Sequence, residues 1–205
     1  MTVNAKSEER PARLSLRERN RLRTRRELLD AALEVFAESG YGSATVENIA
    51  SRAGASKVTL YAYFPEGREE LFRELYEEVN NELIDKITDV YKGDGGFVAH
   101  VVDATAALLD IAQRPLIGRF YSIDDPALDQ ALTPVRGHAS RVCADFISED
   151  LAAAQRAGAV KADVAPEAIG ELLVGAMSSA LSEVARGRTS PTDILSAMRA
   201  LAKGL

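Results

Sequence analysis

The sequence predicts an all-α protein: an N-terminal three-helix domain ending in a helix-turn-helix, followed by a larger helical domain. Three observations carry this. Apolar residues recur every three or four positions along the chain, and no stretch alternates with period two. Pro134, Pro166 and Pro191 open periodic runs, and Gly40 and Gly158 close them, as helix starts and stops require. Residues 46–64, VENIASRAGASKVTLYAYF, read as two short capped helices joined by a turn.

Composition bounds the rest. A chain of 205 residues suits one or two domains with a sizeable core. No apolar run approaches twenty residues, so no membrane span is expected. No apolar leader core points to export. The single Cys143 lies in an apolar helical pattern and reads as a buried small side chain; a reduced, cytoplasmic setting fits. The formal net charge is −6, yet residues 1–26 hold nine Lys/Arg against three Asp/Glu. A strongly basic start on an acidic chain points to a local phosphate-binding face.

Residues 1–15 are expected to be a disordered arm. Arg10, Arg13, Arg17, Arg19, Arg21, Arg23, Arg25 and Arg26 suit a phosphate backbone or minor groove, the alternative being a solvated tail. The first helix is expected from about Arg17 to Ser39, with Leu28, Ala32, Val35 and Phe36 inward. Thr45 can cap the second helix, which buries Val46, Ile49 and Ala50. Gly54 makes the turn, and Ser56 caps a third helix over Lys57–Tyr63. N-terminal residues of such a helix reach base edges. Lys57 suits guanine acceptors, and Val58 and the Thr59 methyl suit a thymine methyl. The Thr59 hydroxyl, Tyr61 and Tyr63 can reach phosphates. Tyr61 reads equally well as a core aromatic against the first helix.

The run RELLDAALEVFAESGYGSATVENIASRAGASKVTLYAYFPEGREELF resembles the DNA-binding domain of the TetR family of bacterial transcriptional regulators. The matching pieces are Ala31-Ala32 through Phe36, Gly40-Tyr41, Thr45-Val46, Ile49-Ala50, Ala53-Gly54, Ser56, Thr59-Leu60-Tyr61, Phe64 and Glu70-Leu71. One departure stands out. The family often has histidine before the phenylalanine and serine-lysine after it; here those places hold Tyr63 and Pro65-Glu66-Gly67-Arg68. The resemblance implies DNA-contacting places at Ser56, Lys57, Val58, Thr59, Tyr61 and Tyr63. Arg25, Arg26 and Thr45 are expected beside the duplex, and Arg68 in the role of the missing lysine. It also implies a homodimeric repressor, released from a palindromic DNA operator by a small-molecule effector.

Residues 1–67 are therefore assigned to DNA binding and residues 68–205 to effector binding and dimerisation. A long fourth helix, about Arg68–Lys92, should join the two through Leu71, Leu75, Val79, Leu83 and Ile87. Later helices are expected over Phe97–Gln113, from Ile123–Pro126, over Pro134–Ala157 and Pro166–Arg186, and from Pro191 onward, with a short helix or turn over Leu116–Ser122. Phe97, His100, Leu108, Phe120, Tyr121, Cys143, Phe146, Met177 and Ser178 can point inward. Of these, Phe97, His100, Phe120, Tyr121, Cys143, Phe146 and Met177 are the candidate lining of a largely apolar effector pocket, a pocket that the resemblance implies. Ile169, Leu173, Ala176, Ala180, Leu195 and Met198 are candidates for a four-helix dimer interface. His100 and His138 lack ligand-spaced partners, so no metal or cofactor is expected. No catalytic constellation is present, and an enzyme is not expected. A helical-bundle enzyme or a protein-interaction module without DNA binding are the competing readings; neither requires the arginine-rich start.

Overall fold

The computed structural model describes residues 15–205 apart from 122, 124, 126–127, 129–131, 133, 136 and 162. The expected arm, except Ser15, and most of the helix expected from Ile123 lie outside the described residues. Among them every regular element is a helix. Helix α1 spans Leu16–Ser43 with a break at Gly40. Then come α2 (Val46–Arg52), α3 (Lys57–Tyr63), α4 (Arg68–Tyr91), α5 (Phe97–Gln113) and α6 (Pro115–Tyr121). The last three are α7 (His138–Arg156), α8 (Pro166–Ala185) and α9 (Pro191–Lys203).

Local chemistry sets most of these ends. The Ser15 hydroxyl accepts from the Glu18 amide at 3.2 Å, and the Glu18 carboxylate accepts from the Ser15 amide at 2.8 Å. That reciprocal capping box lets α1 begin at Leu16, well before it meets any core. Helix α7 starts four residues later than Pro134 suggested. Gly137 sits at φ +78°, a left-handed conformation that no right-handed helix can contain.

Two apolar clusters organise the chain, and α4 feeds both. The first holds Leu28, Phe36, Ile49, Leu60, Leu71, Phe72 and Leu75, joined by Phe120 from α6. The second holds Val79, Leu83 and Ile87 with Val101, Ile147, Leu173, Met177 and Met198. One end of α4 is thus packed in the helix-turn-helix core and the other in the C-terminal bundle.

Helix α8 is long and apolar enough to cross a membrane by length and composition, which the sequence reading did not anticipate. Its Leu173, Val174, Met177, Ala180 and Leu181 are buried. A Cβ on Gly170 would lie 2.4 Å from the Ser148 hydroxyl and 2.7 Å from the Ala144 carbonyl. That close seating against α7 marks α8 as a core helix of the bundle.

Candidate nucleic-acid interface and ligand cavity

The two short helices are fixed by their caps. The Thr45 hydroxyl accepts from the Asn48 amide at 3.2 Å, and the Ser56 hydroxyl from the Thr59 amide at 3.0 Å. Between them Gly54 takes φ +65°, where a side chain would be strained. Ile49 and Leu60 are fully buried, and Ala50 lets the helices meet. The outer side of α3 is left bare: Val58 is 81 % exposed and Tyr61 46 %. Tyr61 is therefore not a core aromatic; its ring lies over the backbone at Gly67. Tyr63 is half-buried against the first cluster. It also lines a groove with Arg17, Asn20, Arg21 and Thr24 of α1.

The cations divide differently from the sequence expectation. Arg25 makes a bidentate pair with Glu74 of α4 and stacks 4.9 Å from the Phe64 ring centre. Arg26 pairs with Asp30 at 2.6 Å and Glu78 at 2.8 Å. Arg68 donates to the carbonyls of Tyr41 (3.2 Å) and Ala44 (2.9 Å) and lies over the Tyr41 ring. All three were assigned to DNA, and all three are committed inside the molecule. The acidic face of α4 draws the first two, and the Tyr41 and Ala44 carbonyls at the end of α1 draw the third. Lys57 is exposed but pairs with Glu47 of α2. The side chains of Arg17, Arg19 and Arg21 make no ion pair or hydrogen bond among the described residues. Glutamates run through α4, but the sequence does not say which arginines they meet.

A cavity of about 240 Å³ lies between α4, α5, α7 and α8. Its walls include Tyr76, Asn80, Leu83 and Ile87 of α4, with Leu108, Cys143, Met177 and Ser178. Of the proposed lining, Cys143 and Met177 are there. Phe97, His100 and Phe146 are not. His100 and Phe146 pack with Tyr91, and His100 Nδ1 is 2.9 Å from the Asp150 carboxylate. Phe120 belongs to the first cluster, 4.5 Å from the Phe72 ring centre. Tyr121 closes α6, and its side chain lies outside the described residues. Periodicity identifies inward residues but not which of them border a void, and the α4 wall was missed for that reason.

Burial alone pushes the Cys143 thiol up to about 12. At pH 8 the native protein should therefore react with iodoacetamide about 10³-fold more slowly than the urea-unfolded chain, because only thiolate attacks. Rapid labelling of the folded protein would show that the cavity admits water freely.

The dimer candidates also divide. Leu173, Ala180 and Met198 are buried within their own subunit, which removes them from any outer face. Ile169, Ala176 and Leu195 are half-buried. The apolar surface left open is Leu172 on α8, 69 % exposed, and Leu201 on α9, 57 % exposed. Gly175 and Ser179 are exposed on α8, and no atom would lie within 4 Å of a Cβ on Gly175.

Comparison with known proteins matches this architecture. The sequence profile of bacterial regulatory proteins of the tetR family covers residues 28–75. The fatty acid metabolism regulator protein of Bacillus subtilis is 35 % identical over 66 residues, 32 % of this chain and 34 % of that one. The HTH-type transcriptional activator FasR of Mycolicibacterium smegmatis is 41 % identical over 83 residues, 39 % of this chain and 37 % of that one. Each match thus spans little more than a third of the curated relative. Among solved structures, the fatty acid degradation regulator FadR of Bacillus halodurans superposes with a TM-score of 0.72 at 18 % identity, over 87 % of this chain and 94 % of that one. A TetR-like transcriptional regulator from Rhodococcus sp. RHA1 gives 0.70 at 19 % identity, over 87 % and 93 %. Residues 28–75 thus carry the sequence signature of the tetR-family DNA-binding domain, and the whole chain has the fold of the TetR-like regulators it superposes on.

Proposed function

We propose that this chain is a homodimeric repressor that reads a near-palindromic DNA operator and is released by a small, largely apolar effector. The observation that carries the DNA-reading part is the bare start of α3. Lys57, Val58 and Tyr61 stand out from a helix that the Ser56 cap and buried Leu60 hold in place. The arginines at the start of α1 whose side chains have no partner among the described residues supply phosphate contacts beside it, taking the place of Arg25, Arg26 and Arg68. Thr45 and Ser56 act as caps, with Thr59 and Tyr63 at the edge of the duplex.

A single helix-turn-helix contacts few bases. Two, spaced by roughly 34–36 Å, read successive major grooves. Leu172, Gly175, Ser179 and Leu201 form the face on which a second subunit packs, with Ile169, Ala176 and Leu195 at its margin. Residues 1–67 serve DNA and residues 68–205 serve effector and partner, with the first turns of α4 shared. The cavity abuts α4 immediately beyond those turns. An effector that fills it binds one setting of α4 better than another and so shifts the population away from the DNA-competent spacing. The names of the relatives concern fatty acid metabolism and degradation, which makes a medium-length acyl chain the first effector to try. The setting is cytoplasmic.

The test is selection of random duplex DNA by the purified protein, followed by sequencing. A two-fold symmetric sequence with half-sites about one turn apart is expected, and retention without any enriched sequence would refute the regulator. A promoter fusion carrying that sequence distinguishes repression from the activation named for FasR. Lys57→Ala should weaken operator binding by about 1–3 kcal/mol and relax one position per half-site. Equal affinity of wild type and variant for operator would remove Lys57 from the interface.

A further inference from the structure

Lys57 sits at the first position of α3, where the helix dipole disfavours a cation. Its ammonium reaches across to α2 and donates to the Glu47 carboxylate. Glu47 lies in the first turn of α2, where a carboxylate is favoured. The contact holds the Glu47 carboxyl below its ordinary value. Both side chains are more than half exposed, next to Val58 on the bare start of α3. An ion pair this exposed contributes little to folding, so stability does not account for it.

A carboxylate on a phosphate-facing surface is repelled unless it meets hydrogen-bond donors. In the major groove those donors are the exocyclic amino groups of bases. A G·C pair presents the guanine N7 and O6 acceptors beside the cytosine N4 donor. An ammonium and a carboxylate already in contact match that edge. The ammonium donates to the two guanine acceptors, and the carboxylate accepts from cytosine N4. Resting on the DNA-reading function above, we propose that Glu47 is a base-reading residue and that Glu47 and Lys57 act as a couple on one G·C pair in each half-site. Each partner also spares the other an unpaired charge in the free protein. The couple reduces attraction to random phosphate while keeping a donor and an acceptor for the right base pair.

The test uses the full-length protein and the sequence that the wild type selects. Competition is measured with every base pair at each position for wild type, Glu47→Gln, Lys57→Gln and the double variant. Thermal unfolding checks that each is folded. Glu47→Gln should relax the G·C preference at one position per half-site by roughly fivefold or more. It should also tighten binding to random duplex and steepen the salt dependence, because Lys57 is freed to meet phosphate. Lys57→Gln should relax the same position, and the double variant should lose little beyond the larger single loss, as expected for residues acting together. The proposal is overturned if Glu47→Gln tightens binding to all sequences alike with every base preference intact. It is also overturned if the two single variants relax different positions, or if the shared position is an A·T pair. Failure of the wild type to enrich any symmetric sequence would remove the DNA-reading function itself, in the wild-type arm, before any variant is compared.

Discussion

Phe72→Ala should lower the unfolding free energy by about 3–5 kcal/mol, the usual range for deleting a large aromatic side chain from a core. Phe72 is 2 % exposed on the first turns of α4. Its ring centre lies 5.0 Å from that of Phe36, 5.1 Å from Tyr41 and 4.5 Å from Phe120. Two other segments of the chain therefore converge on this α4 residue: the end of α1 and α6. Each aromatic pair adds about 0.5–1.5 kcal/mol beyond the area it buries. Removing the ring forfeits those contacts and leaves a hole lined by rigid groups that collapse poorly. Denaturant titration followed by circular dichroism measures the loss. A change below about 1 kcal/mol would mean that the junction closes around the gap, and that the first cluster is softer than its packing implies. DNA affinity should fall as well, because the same ring seats α4 against the domain that carries α3.

How much of this was legible beforehand depends on the range of the interaction. Helix ends set by local chemistry were readable. Thr45, Ser56, Pro166 and Pro191 stand at the starts they predicted, and α5 has the expected bounds, Phe97–Gln113. The start of α7 was misplaced because Gly137, three residues past Pro134, takes a backbone setting that periodicity does not report. Interactions that exist only after the chain closes were not readable. Arg25 and Glu74 are 49 positions apart, and nothing near Arg25 announces that its charge is already matched. Leu173 and Met198 show the same limit for apolar residues. A stripe at helical spacing must be buried, but the sequence does not say whether by its own subunit or by a partner. Cys143 and Phe146 lie almost one turn apart on α7, yet only Cys143 borders the cavity. Position relative to α4 decides that, and α4's placement is a property of the whole bundle.

The division of arginines along α1 gives the other large expected effect. Arg17→Ala with Arg21→Ala should reduce operator affinity on the order of 10²–10³-fold near 0.1 M salt. It should also flatten the dependence of log affinity on log salt by up to about 3.6. Each phosphate contact contributes about 0.9 to that slope, and a dimer loses four. These two residues are one turn apart on a helix that the Ser15–Glu18 box starts early. They line the same groove as Tyr63 at the end of α3. No acidic group among the described residues competes for them. Arg25→Ala should behave in the opposite way. Its guanidinium belongs to Glu74, whose side chain is only 21 % exposed, so its loss strands a half-buried carboxylate. That should cost roughly 1–3 kcal/mol of stability and leave the salt slope nearly unchanged. Isothermal binding at several salt concentrations, alongside denaturant titration, separates the two cases. A slope that flattens for Arg25→Ala and not for Arg17→Ala with Arg21→Ala would place the phosphate contacts where the ion pairs are. DNA would then have to break the α1–α4 bridges in order to bind. With the expected result, the bridges stay intact on DNA and remain available to carry a movement of α4 into the helix-turn-helix.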